Sequence, residues 1–246
     1  MTALPRLILI ATFAALFAAP PARADRPACE VPAELSQVEF RLPRLAEKLK
    51  ARQPVKIVAI GGNSTIGTAA GSPELAYPHR LQVALSEAFP GVPITVVNKG
   101  VPRQAARQML ERFKTDVIAE DPALVIWETG ITDAVRGVGL DEFAAAIQDG
   151  TEELKSRSID TLLVDMQFSR KTAELIDFDK YLSTLHRLGE INDLYVFPRY
   201  EMMRYWSEQN MFNFDEVAAN ERAELAARVY DCIGRKLADA IRLAAQ

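Results

Sequence analysis

Short apolar runs alternate with longer amphipathic stretches along this chain. Residues 55–60 (VKIVAI), 94–98 (ITVVN), 124–128 (LVIWE), 161–166 (TLLVDM) and 194–197 (LYVF) are mostly apolar and bounded by Pro, Gly, Asp or Asn. That is the pattern of strands covered on both faces. Between them apolar residues recur every three or four positions, as in Leu81, Ala84, Leu85 and Ala88, or Phe143, Ile147 and Leu154. Such spacing places each set on one helical face. The succession predicts an α/β fold: a doubly wound, five-stranded parallel sheet in three layers, joined by right-handed crossovers. A further helix is expected around 34–51. In such sheets ligands bind beyond the carboxyl ends of the strands, near the point where strand order reverses. The turns after Ile60, Asn98 and Glu128 are therefore where chemistry is sought.

The first 24 residues have a different character. Arg6 gives a short positive region, 7–19 is an apolar core, and Ala22-Arg23-Ala24 has the form of a cleavage site. This reads as a secretory signal, leaving a mature chain from Asp25 and one domain over 25–246. An uncleaved N-terminal anchor is the alternative reading. No later segment has the apolar length of a membrane span. Export to the periplasm or beyond gives meaning to the two cysteines, because an oxidising compartment lets Cys29 and Cys232 pair.

Composition narrows the partners. The chain has 246 residues, 29 Lys plus Arg, 33 Asp plus Glu, and a net charge of -4. It lacks the basic footprint of a nucleic-acid binder. Two histidines and two scattered cysteines do not make a metal site of ordinary spacing, and no cofactor is expected. A small-molecule or anionic ligand fits this picture; no protein partner is identified. Seven aromatic residues within 195–214 invite comparison with a ligand wall, but Phe197, Trp206 and also Trp127 read most simply as core.

The strand-end turns carry a resemblance. Gly61-Gly62-Asn63-Ser64-Thr65-Ile66-Gly67 follows the first strand, Asn98-Lys99-Gly100-Val101 the second, and Gly130-Ile131-Thr132-Asp133 the third. In this order they resemble blocks I, II and III of the SGNH, or GDSL, hydrolase superfamily, whose first block reads GDSxTxG. The resemblance implies a flavodoxin-like sheet. It also implies a serine nucleophile in block I, oxyanion donors from a Gly and an Asn in blocks II and III, and an Asp and His in block V.

Residue by residue, those positions depart from the family pattern. Aligned without gaps, block I places Asn63 at the nucleophile position; sliding by one places Ser64 there, preceded by Gly62-Asn63, but takes Thr65 out of register. The block II glycine falls on Arg103, the block III asparagine on Thr132, and Asp133 keeps its place. Glu221 and Glu224 stand where block V has Asp and His, and no histidine follows His186. A serine needs a base of near-neutral pKa, and His is the usual one. His79 and His186 read as helix-surface residues.

Gly62, Asn63, Ser64, Thr65, Arg103, Thr132, Asp133 and Glu224 are thus the candidate crevice residues. Ser64 and Thr65 have a plainer reading as helix caps, and Arg103 with Glu224 as an ion pair closing the crevice or as two solvated surface charges. The first functional expectation is an exported SGNH-like protein that has lost hydrolysis and acts in binding. An esterase using Ser64 with a non-standard base is the alternative. A flavin or nucleotide site is weakly indicated, since no phosphate-cradling glycine pattern is complete.

Overall fold

A computed structural model describes residues 29–214 and 216–246; the leader read over 1–24 lies outside the described residues. Five strands, β1 (Val55–Gly61), β2 (Ile94–Gly100), β3 (Leu124–Glu128), β4 (Asp160–Val164) and β5 (Tyr195–Phe197), form one sheet in the order β2-β1-β3-β4-β5. Every pairing is parallel. The chain moves outward from β1 to β2, then returns past β1 to β3. The switch in direction sets the carboxyl ends of β1 and β3 side by side, where a ligand crevice is expected.

The helices in chain order are α1 (Pro43–Lys50), α2 (Asn63–Ile66), α3 (Tyr77–Ala88), α4 (Ala106–Glu111), α5 (Ile131–Arg136), α6 (Leu140–Ser156), α7 (Arg170–Leu175), α8 (Asp179–Asn192), α9 (Arg199–Glu208) and α10 (Arg222–Ala244). Side-chain alternation along the strands feeds two buried clusters. Ile57, Leu124, Ile126, Leu162, Val164 and Phe197 pack with α3 and α10 on one face. Val58, Ile60, Val125, Trp127, Leu163 and Val196 pack with α4, α6 and α8 on the other. Both faces are covered, which is why the strands read as continuous apolar runs. Trp127, Phe197 and Trp206 are fully buried, as core.

The helix expected around 34–51 is corrected. It divides into a 3-10 turn, Ala33–Ser36, and α1, which starts only at Pro43. Proline is at home in the first helical turn but holds the residue before it out of helical backbone, and Leu42 is at φ -119°, ψ 75°. The cysteine pair is formed: Cys29 is disulfide-bonded to Cys232 of α10. Among the described residues no helix is long and apolar enough to cross a membrane.

Candidate functional site

The turn after β1 is unusually tight. A Cβ on Gly61 would meet Thr65 Oγ1 at 2.1 Å and Glu128 Cβ at 2.8 Å, so only glycine lets these elements approach. The closeness seats a buried polar network under the turn. Thr65 donates its hydroxyl hydrogen bond to Glu128, and Thr65 Oγ1 lies 3.1 Å from the Tyr77 hydroxyl. Arg199 Nη2 reaches Glu128 Oε1 at 3.3 Å, with the two side chains 2% and 1% exposed. Burial, reinforced by the Glu128 carboxylate, pushes the Tyr77 phenol far up. Thr65 is thus committed inside the fold rather than open to a crevice.

Asn63 and Ser64 part company. Asn63 is exposed, and its Oδ1 accepts the Arg103 backbone N–H at 3.0 Å. Arg103 stands at φ +60°, a left-handed backbone that favours glycine. Its carbonyl accepts from Arg136 Nη2 at 2.9 Å. Ser64, one residue on, is buried and donates from Oγ to Gln167 Oε1 at 2.9 Å. Successive helical residues point about 100° apart, so the two hydroxyl and amide candidates of this turn serve different surroundings. Gly62 precedes α2 as its N-terminal flank.

The block III pair also divides. Asp133 is 1% exposed, and both its carboxylate oxygens accept the Ala106 N–H at 3.1 Å, holding the start of α4. Burial pushes its carboxyl up, partly offset by that amide. Thr132 is half-buried at the start of α5. Glu224 is exposed in the first turn of α10 and forms no ion pair with Arg103 among the described residues. The structure therefore joins Asn63 to Arg103, and sends Thr65, Ser64, Asp133 and Glu224 elsewhere.

Ser64 opens onto a cavity of about 360 Å³. Gln167 follows β4, Arg199 begins α9 just after β5, and Tyr230 comes from α10; with Ser64 they make its polar side. Burial pushes the Tyr230 phenol up against a smaller pull from the Ser64 hydroxyl. Lys171 and Arg222 add cations, while Phe168, Met203, Phe214 and Val229 add apolar wall. Sequence reasoning missed Gln167, Lys171, Arg199, Arg222 and Tyr230. Applying the carboxyl-end rule to the fourth and fifth strands as well would have pointed to Gln167 and Arg199. A larger open groove of about 860 Å³ contains Gln53, Asp160 and Thr161 at the amino ends of strands. It holds charges of both signs and none of the candidate residues.

Of the two histidines, His79 is exposed on α3. His186 lies at the surface of α8 as read, its side chain 42% exposed, but it has a partner the sequence did not show: its Nε2 lies 3.1 Å from Oδ2 of Asp165, which is fully buried and also accepts the Tyr200 N–H at 2.8 Å. His186 borders a shallow groove with Glu39, Phe40 and Tyr195, away from the Ser64 cavity. The hydrogen bond to Asp165 raises the His186 pKa above its ordinary value, with smaller pulls from Glu190 and Glu201. Burial raises Asp165, while His186, Arg199 and the Tyr200 amide draw it back.

Both folded-state values lie above the unfolded ones, so the native protein holds the extra protons. The contribution of His186 is fully present below its unfolded pKa and is lost as pH rises through the raised value. We expect His186→Gln to lower the melting temperature at pH 5.5 and to approach the parent above the folded pKa. NMR titration of the ring must give a pKa above 6.5; a value at or below it overturns the assignment.

The family model of the Non-GDSL lipase-like family matches residues 28–246. No curated protein matches the chain. Among solved structures, it is similar to a G-D-S-L family protein from Desulfitobacterium hafniense DCB-2, with TM-score 0.57, 22% identity, and 74% of this chain aligned to 99% of that one. It is similar to a two-domain esterase active on acetylated mannans, with TM-score 0.67 and 17% identity, over 87% of this chain; it spans 58% of that longer protein. A lipase/acylhydrolase from Enterococcus faecalis gives TM-score 0.58 and 18% identity, over 72% of this chain and 93% of the other. At these identities the likeness establishes the fold.

Proposed function

The chain belongs to the Non-GDSL lipase-like family, and from that premise we propose that its SGNH hydrolase-like fold serves ligand binding in an exported protein, without ester hydrolysis. The observation that carries this reading is the partner of Ser64. Its proton points to Gln167 Oε1, a neutral amide that cannot accept a proton at ordinary pH, so the hydroxyl has no base among the described residues. His186 is engaged with Asp165 and His79 is on the surface.

The resemblance supplies a second support. In the gapless register Asn63 takes the nucleophile's place, and the Arg103 amide, at a glycine-like backbone, is directed to Asn63 as an oxyanion donor would be directed to the reacting centre. An amide side chain there offers hydrogen bonds and no nucleophilic hydroxyl. Export, with a signal over 1–24 and a single domain over 25–246, is part of the same proposal. It is supported by the Cys29–Cys232 bond, since such pairs persist in oxidising compartments.

The purified protein is expected to leave short-chain and medium-chain aryl esters unhydrolysed and to form no adduct with a serine-directed phosphonate by intact mass. Ser64→Ala should behave identically. Turnover and labelling that both vanish in Ser64→Ala would overturn the proposal in favour of a serine esterase with an unusual base.

A further inference from the structure

The cavity beside Ser64 is built in three tiers. Its buried polar part holds Ser64, Arg199 and Tyr230, which are 3%, 2% and 8% exposed. Partly buried Phe168, Met203 and Phe214 give apolar walls, and exposed Lys171 and Arg222 stand at the rim. No described residue lining it is acidic. Glu128 neutralises Arg199 from beneath, while Lys171 and Arg222 hold no ion pair among the described residues. Two positive charges are left without a counter-charge among the described lining residues, in a protein whose net charge is -4.

The lining also offers hydrogen-bond donors. Ser64 spends its proton on the Gln167 carbonyl oxygen, which turns the amide N–H groups of Gln167 into uncommitted donors. Tyr230 keeps its proton because burial raises its pKa. A neutral polar ligand would need acceptors and donors in balance; this lining asks for oxygen acceptors carrying negative charge.

We propose that this cavity binds an amphiphilic carboxylate, a small molecule with one anionic head and a short apolar body. The head pairs with Lys171 and Arg222 and takes hydrogen bonds from the Gln167 amide, while the body lies along Phe168, Met203 and Phe214. The volume of about 360 Å³ is at the small end of ligand sites, which suits a medium-length chain. The inference rests on the binding reading of the fold given above and names the ligand class for it.

Calorimetric titration of the full protein with sodium octanoate tests it. Octanoate is expected to bind one to one, more tightly than butyrate by up to about fourfold per added methylene. It should also bind more tightly than 1-octanol, octyltrimethylammonium or inorganic phosphate. Lys171→Gln with Arg222→Gln, two exposed changes that leave the core intact, should weaken octanoate by about tenfold at low salt and leave octanol unchanged. Absence of octanoate binding, equal binding of octanol or phosphate, or an unchanged affinity in the double variant would each overturn the site. The ester assay reads separately: turnover of aryl esters overturns the non-hydrolytic reading, whereas failed titration with no turnover overturns only the carboxylate site.

Discussion

Replacing Arg199 by methionine is expected to lower the unfolding free energy by about 3–5 kcal/mol, the largest loss we anticipate from one substitution. Arg199 and Glu128 are both essentially sealed from solvent, and the guanidinium is the cation that faces the carboxylate. Methionine restores much of the volume but leaves Glu128 charged in a low-dielectric interior with only the Thr65 hydroxyl as a donor. Most of the cost is that stranded charge, since a buried ion pair by itself adds little over a well-packed apolar replacement.

Two consequences separate charge from packing. Adding Glu128→Gln, which keeps an acceptor for Thr65, should recover part of the loss, by about 1–2 kcal/mol as a coupling energy. The loss should also be smaller in acid, where protonation removes the stranded charge, than at neutral pH. Urea denaturation at pH 5 and pH 8 reads both effects. A double variant no more stable than the single, with the same loss at the two pH values, would mean that packing alone holds this site.

Much of the architecture was legible because it is written in local pattern. The five strands announce themselves as runs such as VKIVAI, and the right-handed crossover rule gives a parallel sheet, while the order β2-β1-β3-β4-β5 comes from the structure. What local pattern missed came from distant partners. β4 starts at Asp160, a residue that looks like a turn former, because its carboxylate accepts the Leu45 N–H at 2.9 Å. It ends at Val164 rather than Met166: Asp165 makes a last N–H bond to the Phe197 carbonyl at 3.3 Å while its side chain meets His186 and the Tyr200 amide.

The site divides along the same line. The contact between Asn63 and Arg103 joins two strand-end turns that the motif order already placed side by side. The cavity draws Gln167 and Arg199 from the ends of the fourth and fifth strands, where the carboxyl-end rule could have found them, but Lys171 from α7 and Arg222 and Tyr230 from α10, which no strand-end signal marks. Reading Ser64 and Asn63 as alternatives for one role hid the simpler physical fact that consecutive residues of a short helix face different neighbours.

The second large effect is expected from the disulfide. Cys29 and Cys232 are separated by 203 residues, and in the chain-entropy picture a closed loop of that size removes about 5 kcal/mol worth of freedom from the unfolded chain, with about 2–5 kcal/mol surviving in practice. Cys29→Ala with Cys232→Ala, or reduction of the parent, should therefore lower the melting temperature by roughly 5–15 °C for a domain of this size. The urea m-value should rise, because the uncrosslinked chain unfolds to a more expanded state.

The alternative is a purely local role, and the structure states what would replace the bond in that case. Trp206 donates from Nε1 to the Glu30 carbonyl at 2.9 Å, Phe40 stacks on Tyr195 with centroids 4.5 Å apart, and the Leu42 N–H donates to the Ala244 carbonyl at 3.1 Å. These three hooks hold the segment ahead of α1 along the same face without any covalent link. If they suffice, the double alanine variant will melt with the parent and differ only in faster proteolysis before α1. If the loop constraint dominates, stability falls globally and the proteolytic sites appear across the whole chain with the unfolded population. The second outcome is expected, because the bond ends on fully buried Cys232 in α10, a helix that packs along the core beside α3 and unfolds only with it.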